Sequence, residues 1–74
     1  MTVEQDVLTV LAEEMGPAAK PFLLRQCRSH LGKEPSMLQK SDLDNLAKWC
    51  QIGVQLALGA QIAEKVKKGL LALK

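Results

Sequence analysis

Hydrophobic residues recur along this chain at intervals of three and four positions, the spacing of one face of an α-helix. The first such stripe consists of Val3, Val7, Leu8, Val10, Leu11 and Met15. Thr2, followed three positions later by Gln5, matches the capping box that begins many helices. Gly16 suits the left-handed conformation that ends them. The pattern therefore predicts a first helix from Thr2 to Met15.

A second stripe follows this helix after a corner of almost no length, and its members are Ala18, Phe22, Leu23, Cys27 and Leu31. Pro17 can begin the second helix, because the N–H of the first helical residue has no acceptor within the helix and a proline there loses no hydrogen bond. Gly32 can close it. Pro21 complicates the start, since a proline inside a helix removes a hydrogen bond and clashes with the carbonyl four positions back. Either the first turn is irregular or the regular helix starts nearer Pro21.

The only real loop is predicted at residues 33–41, with Ser41 capping a third helix. Beyond it, apolar residues recur every four positions without a gap: Leu46, Cys50, Val54, Leu58, Ile62, Val66 and Leu70. An α-helix has 3.6 residues per turn, so such a stripe rotates by about 40° at each step and cannot keep facing one core. Two helices broken near Gly53 or Gly59 explain this better than one rod, and a bend there is an equal alternative to a true turn.

No alternating run of β-branched residues indicates a strand. We therefore predict one all-α domain over residues 1–74, a compact bundle of four helices or of three with a bent C-terminal helix. A core below about 80 residues rarely supplies more than about 3–5 kcal/mol without a disulfide, a metal or a partner. The chain has 74 residues and a 47% hydrophobic content, which favours self-association as the supplement.

The two cysteines, Cys27 and Cys50, fall on apolar stripes, where a free cysteine behaves as a small hydrophobe. They point to a core role in reducing cytoplasm rather than to a disulfide. With His30 as the one histidine, no zinc ligand set is available. We predict no metal, no cofactor and no catalytic residue. One alternative is a reactive Cys27 thiol, because His30 lies three positions further along the same helix.

The net charge of +2 is too small to indicate a polyanionic partner by itself, and no apolar run is long enough to cross a membrane. Arg25, Arg28 and Lys33 form a basic edge on the second helix. This edge supports an alternative function, a nucleic-acid-binding regulator. Against it, the next helix opens with Asp42 and Asp44, which repel phosphate, and the Lys-rich tail lacks interleaved aromatic residues.

Trp49 is the one tryptophan, at the margin of the third stripe. It is either a filler at the edge of the core or an anchor of the kind that interfaces favour. The small residues Gly53, Ala57 and Ala60 follow it and allow another helix to approach closely, within the chain or from a second copy. We predict these four residues as the partner interface.

Part of the chain, residues 11–50, resembles a small helical module of bacterial and archaeal signalling proteins. The shared features are a helix ending in Gly-Pro-x-Ala, a Leu-Gly stop and an Asp-Leu-led helix, here Gly16, Pro17, Ala19, Leu31, Gly32, Asp42, Leu43, Leu46 and Ala47. Pro21 is not part of that pattern. The resemblance implies a regulatory or interaction module, often attached to larger signalling proteins, and brings no catalytic residues. We expect a cytoplasmic, non-enzymatic module that binds itself or a larger signalling protein.

Overall fold

A computed structural model describes residues 2–74. These residues form four α-helices and no strand, the helices being α1 (Val3–Met15), α2 (Ala19–Gln26), α3 (Leu43–Leu58) and α4 (Ala60–Leu71). Short 3₁₀ turns lie between α1 and α2, at Gly16–Ala18, and before α3, at Pro35–Met37 and Lys40–Asp42. The predicted all-α bundle is confirmed.

Helix α1 begins with the predicted capping box. The Gln5 N–H donates to Thr2 Oγ1 at 3.1 Å, and the Thr2 N–H donates to Gln5 Oε1 at 3.4 Å. These bonds satisfy donors that a helix start otherwise leaves without partners. At the other end, Gly16 has a φ of 60°, a conformation that a glycine adopts without strain. The positions of both predicted ends are confirmed, but Gly16, with a ψ of −136°, does not adopt the predicted left-handed helical conformation.

The corner between α1 and α2 accommodates Pro21 by shifting the start of the regular helix. A 3₁₀ turn at Gly16–Ala18 takes up the corner, and α2 begins only at Ala19. Pro21 is then the third residue of α2, within the first turn, where a backbone N–H has no partner inside the helix. The side chain that enters the core is Ala19, whereas Ala18 is exposed, so the predicted stripe is wrong at Ala18.

Helix α2 continues into a wider π-helical turn at Cys27–Leu31. Gly32 ends it with a φ of 66° and a ψ of 27°, as its sequence position predicts. The N–H groups of Gly32 and Lys33 both donate to the Cys27 carbonyl, and the Lys33 bond is 3.3 Å long. This widened turn carries the chain from α2 into the segment before α3.

The residue immediately before α3 is Asp42 rather than Ser41, so the predicted cap is wrong. The Asp42 carboxylate accepts a hydrogen bond from the Gln39 N–H at 2.9 Å, which fixes the 3₁₀ turn that leads into α3. It also accepts from the Lys33 ammonium at 3.0 Å. A carboxylate has two acceptor oxygens and so serves both contacts.

Helices α3 and α4 form an antiparallel hairpin whose turn is one glycine. Gly59, with a φ of 98°, separates the two helices. The antiparallel course brings Asp44 to Lys74 at 2.8 Å, and Gln51 donates a hydrogen bond to Glu64 at 3.2 Å. The predicted break is therefore at Gly59, and the reversal returns the rotating apolar stripe to the same core.

The core is built from all four helices. Its fully enclosed members include Val7, Leu11, Leu23, Cys27, Leu43, Leu46, Cys50, Val54, Ala63, Val66 and Leu70. Leu58, at the end of α3, lies outside it and is 45% exposed, so the predicted stripe fails at that position. Within residues 2–74, none of the helices combines the length and the apolarity that a bilayer crossing requires.

Candidate functional site

The end of the α3–α4 hairpin, residues 52–60, holds three of the four exposed large hydrophobic side chains in the described part of the chain. We call this segment the hairpin tip. Leu56 is 86% exposed, and Ile52 and Leu58 are 44% and 45% exposed. In residues 2–74, Met37 is the one other large hydrophobic side chain with comparable exposure. Exposed apolar side chains of this kind are common at interaction surfaces.

The hairpin tip carries no charge. Residues 49–63 are fifteen consecutive positions without a charged side chain, although 24% of the chain is charged. Charged residues are likewise depleted at the centres of protein interfaces. Their place is taken by glutamines, of which Gln55 lies in the tip and Gln61 directly follows it, and both are exposed. The tip therefore joins an apolar surface to neutral side chains that both donate and accept hydrogen bonds.

Trp49 begins a row of side chains along the outer face of α3. Ile52 and Leu56 follow at the three- and four-residue spacing that places helical neighbours side by side. Trp49 itself is half-buried, because the His30 ring stacks on the indole with centroids 4.0 Å apart and planes inclined by 3°. The Lys48 ammonium lies 5.4 Å from the indole centroid. The row thus starts at a covered aromatic ring and ends at the most exposed leucine.

Of the four residues that the sequence predicts for the interface, Ala57 and Ala60 are exposed at the hairpin tip, and Trp49 is half-buried. Gly53 faces α2 instead, where a Cβ atom would lie 2.9 Å from the Phe22 ring. Its small size therefore lets α2 and α3 pack closely within the chain. This is one of the two alternatives given above, the other being the approach of a helix from a second copy.

Sequence reasoning missed the three exposed hydrophobic residues of the tip, Ile52, Leu56 and Leu58. The helical stripe assigned Leu58 to the core and left the other two without a role. The signal that identifies them is the uncharged run around them. A surface helix ordinarily carries charged residues on its outer face, and α3 carries none there after Lys48.

The predicted basic edge of α2 is largely paired within the chain. Arg28 forms a two-point ion pair with Glu34, with N···O distances of 2.7 and 2.8 Å. This hydrogen-bonded contact raises the pKa of Arg28 and lowers the pKa of Glu34. Lys33 binds both oxygens of Asp42 at 3.1 and 3.0 Å, and Arg25 is exposed. An arrangement in which two of three cations already bind carboxylates does not favour contacts to phosphate.

The two cysteines are core residues, as predicted, and both are free thiols with no exposed surface. Burial raises the pKa of the Cys27 thiol to about 11 and that of Cys50 to about 12. Because the thiolate is the reactive form, this environment does not favour a reactive Cys27. The described residues contain no group of three or more His, Cys, Asp or Glu side chains that could hold a metal ion.

A second surface feature, absent from the sequence predictions, is a groove between α1, the start of α2 and the turn at Pro35–Met37. Its volume is about 600 Å³, within the range of ligand-binding clefts. Its apolar lining comes from Leu8, Leu23, Leu24, Pro17, Pro21 and Pro35. The groove and the hairpin tip belong to different helix pairs.

Because these surfaces have no sequence signature of a known activity, resemblance to other proteins is the remaining guide to function. No model of a protein family, no curated protein and no solved structure matches this chain. Function is therefore inferred from the chemistry of the hairpin tip and the groove.

Proposed function

We propose that this protein is a non-enzymatic interaction module that binds a second copy of itself through the hairpin tip. The observation that carries the proposal is the 86% exposure of Leu56 within an uncharged surface. Burying a leucine side chain fully contributes about 1.5–3 kcal/mol. In a two-fold contact both copies bury this residue, so the gain is counted twice.

The composition of the tip supports a second copy as the occupant. A two-fold contact sets each surface against the same surface of its partner, so any charge at the centre faces a like charge. Residues 49–63 avoid this repulsion because they carry none. The exposed Gln55 and Gln61 are self-complementary, since each amide both donates and accepts a hydrogen bond.

The size of the tip predicts a weak, concentration-dependent dimer. A stable interface takes about 800 Å² from each partner, which is roughly a sixth of the 4565 Å² of accessible surface. The tip comprises about two turns of α3 and the first residue of α4, fewer residues than the roughly 20–30 per side of a standard interface. Contacts below about 1,200 Å² in total are typical of transient associations, so we expect micromolar affinity.

The setting of this module is part of the same proposal. The resemblance to small helical signalling modules supports a role in which the domain joins copies of a larger signalling protein. The free thiols of Cys27 and Cys50 support a reducing compartment, and we assign the module to the cytoplasm.

Sedimentation equilibrium up to high micromolar concentration tests the proposal. The unaltered protein should show a monomer–dimer equilibrium. Leu56→Glu should remain monomeric, because it removes the leucine contact and sets two carboxylates against each other. Met37→Glu is the matched control, since Met37 is 60% exposed and lies before α3, away from the tip. It makes a comparable change and should leave dimerisation intact.

Circular dichroism establishes that each variant keeps its helices, so a monomeric Leu56→Glu reports on association and not on folding. A stable monomer of the unaltered protein at high micromolar concentration would contradict the proposal. An equal dimer dissociation constant for Leu56→Glu and the unaltered protein would show that the contact lies elsewhere. That result would also contradict the proposal.

A further inference from the structure

All three prolines of the chain line the groove between α1, α2 and the turn at Pro35–Met37. Pro17 and Pro21 stand at the start of α2, and Pro35 opens the turn that faces α1. A proline ring fixes φ near −65°. The backbone around the groove is therefore held in shape before any ligand arrives, and a preformed site loses little conformational entropy on binding.

The floor of the groove is apolar. Leu23 is buried, whereas Leu8 and Leu24 are half-buried and keep part of their surface in contact with water. Pro17 and Pro21 are exposed along the rim. The feature is thus an open channel along two helices, with hydrophobic surface that a partner can cover.

Two charged side chains at the rim have no ionic partner within residues 2–74. Glu4 stands in the first turn of α1, and Lys20 lies just beyond the corner that follows α1. The third charged residue of the lining, Glu34, is bound by Arg28 at 2.7 Å. Glu4 lies near the start of α1 and Lys20 beyond its end, and the twelve positions from Glu4 to the corner at Gly16 span about 18 Å. The rim is therefore negative near the start of α1 and positive beyond its end.

From this geometry we propose that the groove binds a short amphipathic helix of another protein. Three turns of helix match a length of about 18 Å, and apolar residues spaced three or four apart would lie on the leucine floor. An extended peptide is less suited, because strand addition needs unpaired backbone groups. The walls here are helical, and the three prolines supply no N–H donor.

The charges also set the direction of the bound helix. A helix is stabilised by acidic residues at its N-terminus and basic residues at its C-terminus. The partner should therefore place an Asp or Glu beside Lys20 and a Lys or Arg beside Glu4. It would run antiparallel to α1. This surface is separate from the hairpin tip, so binding there does not depend on self-association.

A displayed library of random peptides of about 14 residues, selected on the folded protein, tests the inference. The peptides selected should share apolar residues at helical spacing, an acidic residue toward one end and a basic residue toward the other. Fluorescence anisotropy then measures the affinity of one selected peptide. Glu4→Lys should weaken binding by about two- to fivefold, as expected for an exposed charge pair. Replacing the basic residue of the peptide by Glu should restore binding to that variant.

Leu24→Gln should reduce the affinity further by making the floor polar, with circular dichroism confirming that the helices persist. Leu56→Glu is the matched control, because it alters the hairpin tip alone and should leave the affinity unchanged. Selected peptides without a common helical pattern would overturn the inference. So would peptides that bind Glu4→Lys as tightly as the unaltered protein, or that lose binding in Leu56→Glu.

Discussion

Gly69 of α4 lies directly against Val10 of α1, so closely that a Cβ atom at position 69 would be 2.7 Å from Val10 Cγ1. Valine has few rotamers open to it in a helix, so its side chain cannot easily move away. This contact joins α1, a wall of the groove, to the hairpin that carries the exposed tip. The absence of a side chain at Gly69 is what permits that approach.

Gly69→Ala should therefore destabilise the protein even though alanine is the better helix former. Overpacking a core contact costs about 1–3 kcal/mol, against a gain in helix propensity of about 1 kcal/mol. Chemical denaturation measures the net change in the free energy of unfolding. In a Val10→Ala background the clash disappears, and the same substitution should become neutral or stabilising. A stabilising effect without the second change would contradict the close packing of α1 on α4.

Removing the His30 ring should uncover one face of Trp49. His30→Ala should shift the Trp49 fluorescence emission to longer wavelength, since the indole face would then contact water. The loss of an aromatic pair should also lower the free energy of unfolding by about 0.5–1.5 kcal/mol. Ser29→Ala, at the exposed neighbouring position, is the control and should leave the emission unchanged. An emission maximum in His30→Ala equal to that of the unaltered protein would show that the stack does not form.

Both thiols should resist alkylation while the protein is folded. At pH 8 the Cys27 and Cys50 thiols stay protonated, because burial raises their pKa values to about 11 and about 12. Iodoacetamide should react with them far more slowly than with free cysteine. After unfolding in guanidinium chloride, both should react at the rate of free cysteine. Mass spectrometry counts the alkylated sites. Rapid labelling of Cys27 in the folded protein would support the alternative hypothesis that Cys27 is a reactive thiol.

The same pKa shifts predict a loss of stability in alkaline solution. The unfolded chain releases thiol protons near pH 9.0, whereas folded Cys27 and Cys50 hold theirs to about 11 and about 12. The folded state therefore binds more protons above pH 9, and the free energy of unfolding falls as the pH rises. Denaturation between pH 8 and about 10.5 measures the slope. Cys50→Ala should reduce that slope, and an unchanged slope would contradict the shift of Cys50.

Asp42 should matter more to stability than Asp44, although each carboxylate binds one lysine. The Gln39 N–H, and after it Lys33, lower the pKa of Asp42, so its contribution is present at neutral pH and is lost as the pH falls below about 4. Asp42→Asn keeps an acceptor for the Gln39 N–H but removes the charge that Lys33 binds, and it should cost about 1 kcal/mol at pH 7. The exposed pair of Asp44 with Lys74 should contribute less than about 0.5 kcal/mol. Equal costs for Asp42→Asn and Asp44→Asn in denaturation at pH 7 would contradict this ranking.

Local signals in the sequence predicted much of the fold. The capping box at Thr2 and the helix stops at Gly16 and Gly32 act through neighbouring residues, so their chemistry can be recognised from the chain alone. The stripe of period four likewise required a break in the last helix. It did not identify the glycine, because Gly53 and Gly59 have similar neighbours in sequence. The difference is tertiary: Gly53 packs against Phe22, and Gly59 turns the chain with a φ of 98°.

The surfaces that support function could not be predicted in the same way. The stack of His30 on Trp49 joins the end of α2 to α3, and no spacing in the chain indicates that pairing. Leu58 fits the spacing of the core stripe, but it is the last residue of α3, next to the turn, and its side chain is 45% exposed. The groove is lined by Pro17 and Pro21 at the start of α2 and by Pro35 from a turn further along the chain. Each of these features exists only once the helices are packed.

A distance between labelled copies tests the central claim most directly. Ala57→Cys places a reactive thiol at the hairpin tip, and a nitroxide should attach there alone because Cys27 and Cys50 are buried. Packed helices lie about 8–10 Å apart, so electron spin resonance should detect labels on two copies within roughly 20 Å of each other. A label at Ala12→Cys, exposed on α1, should show a longer distance. Weak coupling at position 57 in a sample that sediments as a dimer, or stronger coupling at position 12, would contradict self-association through the hairpin tip.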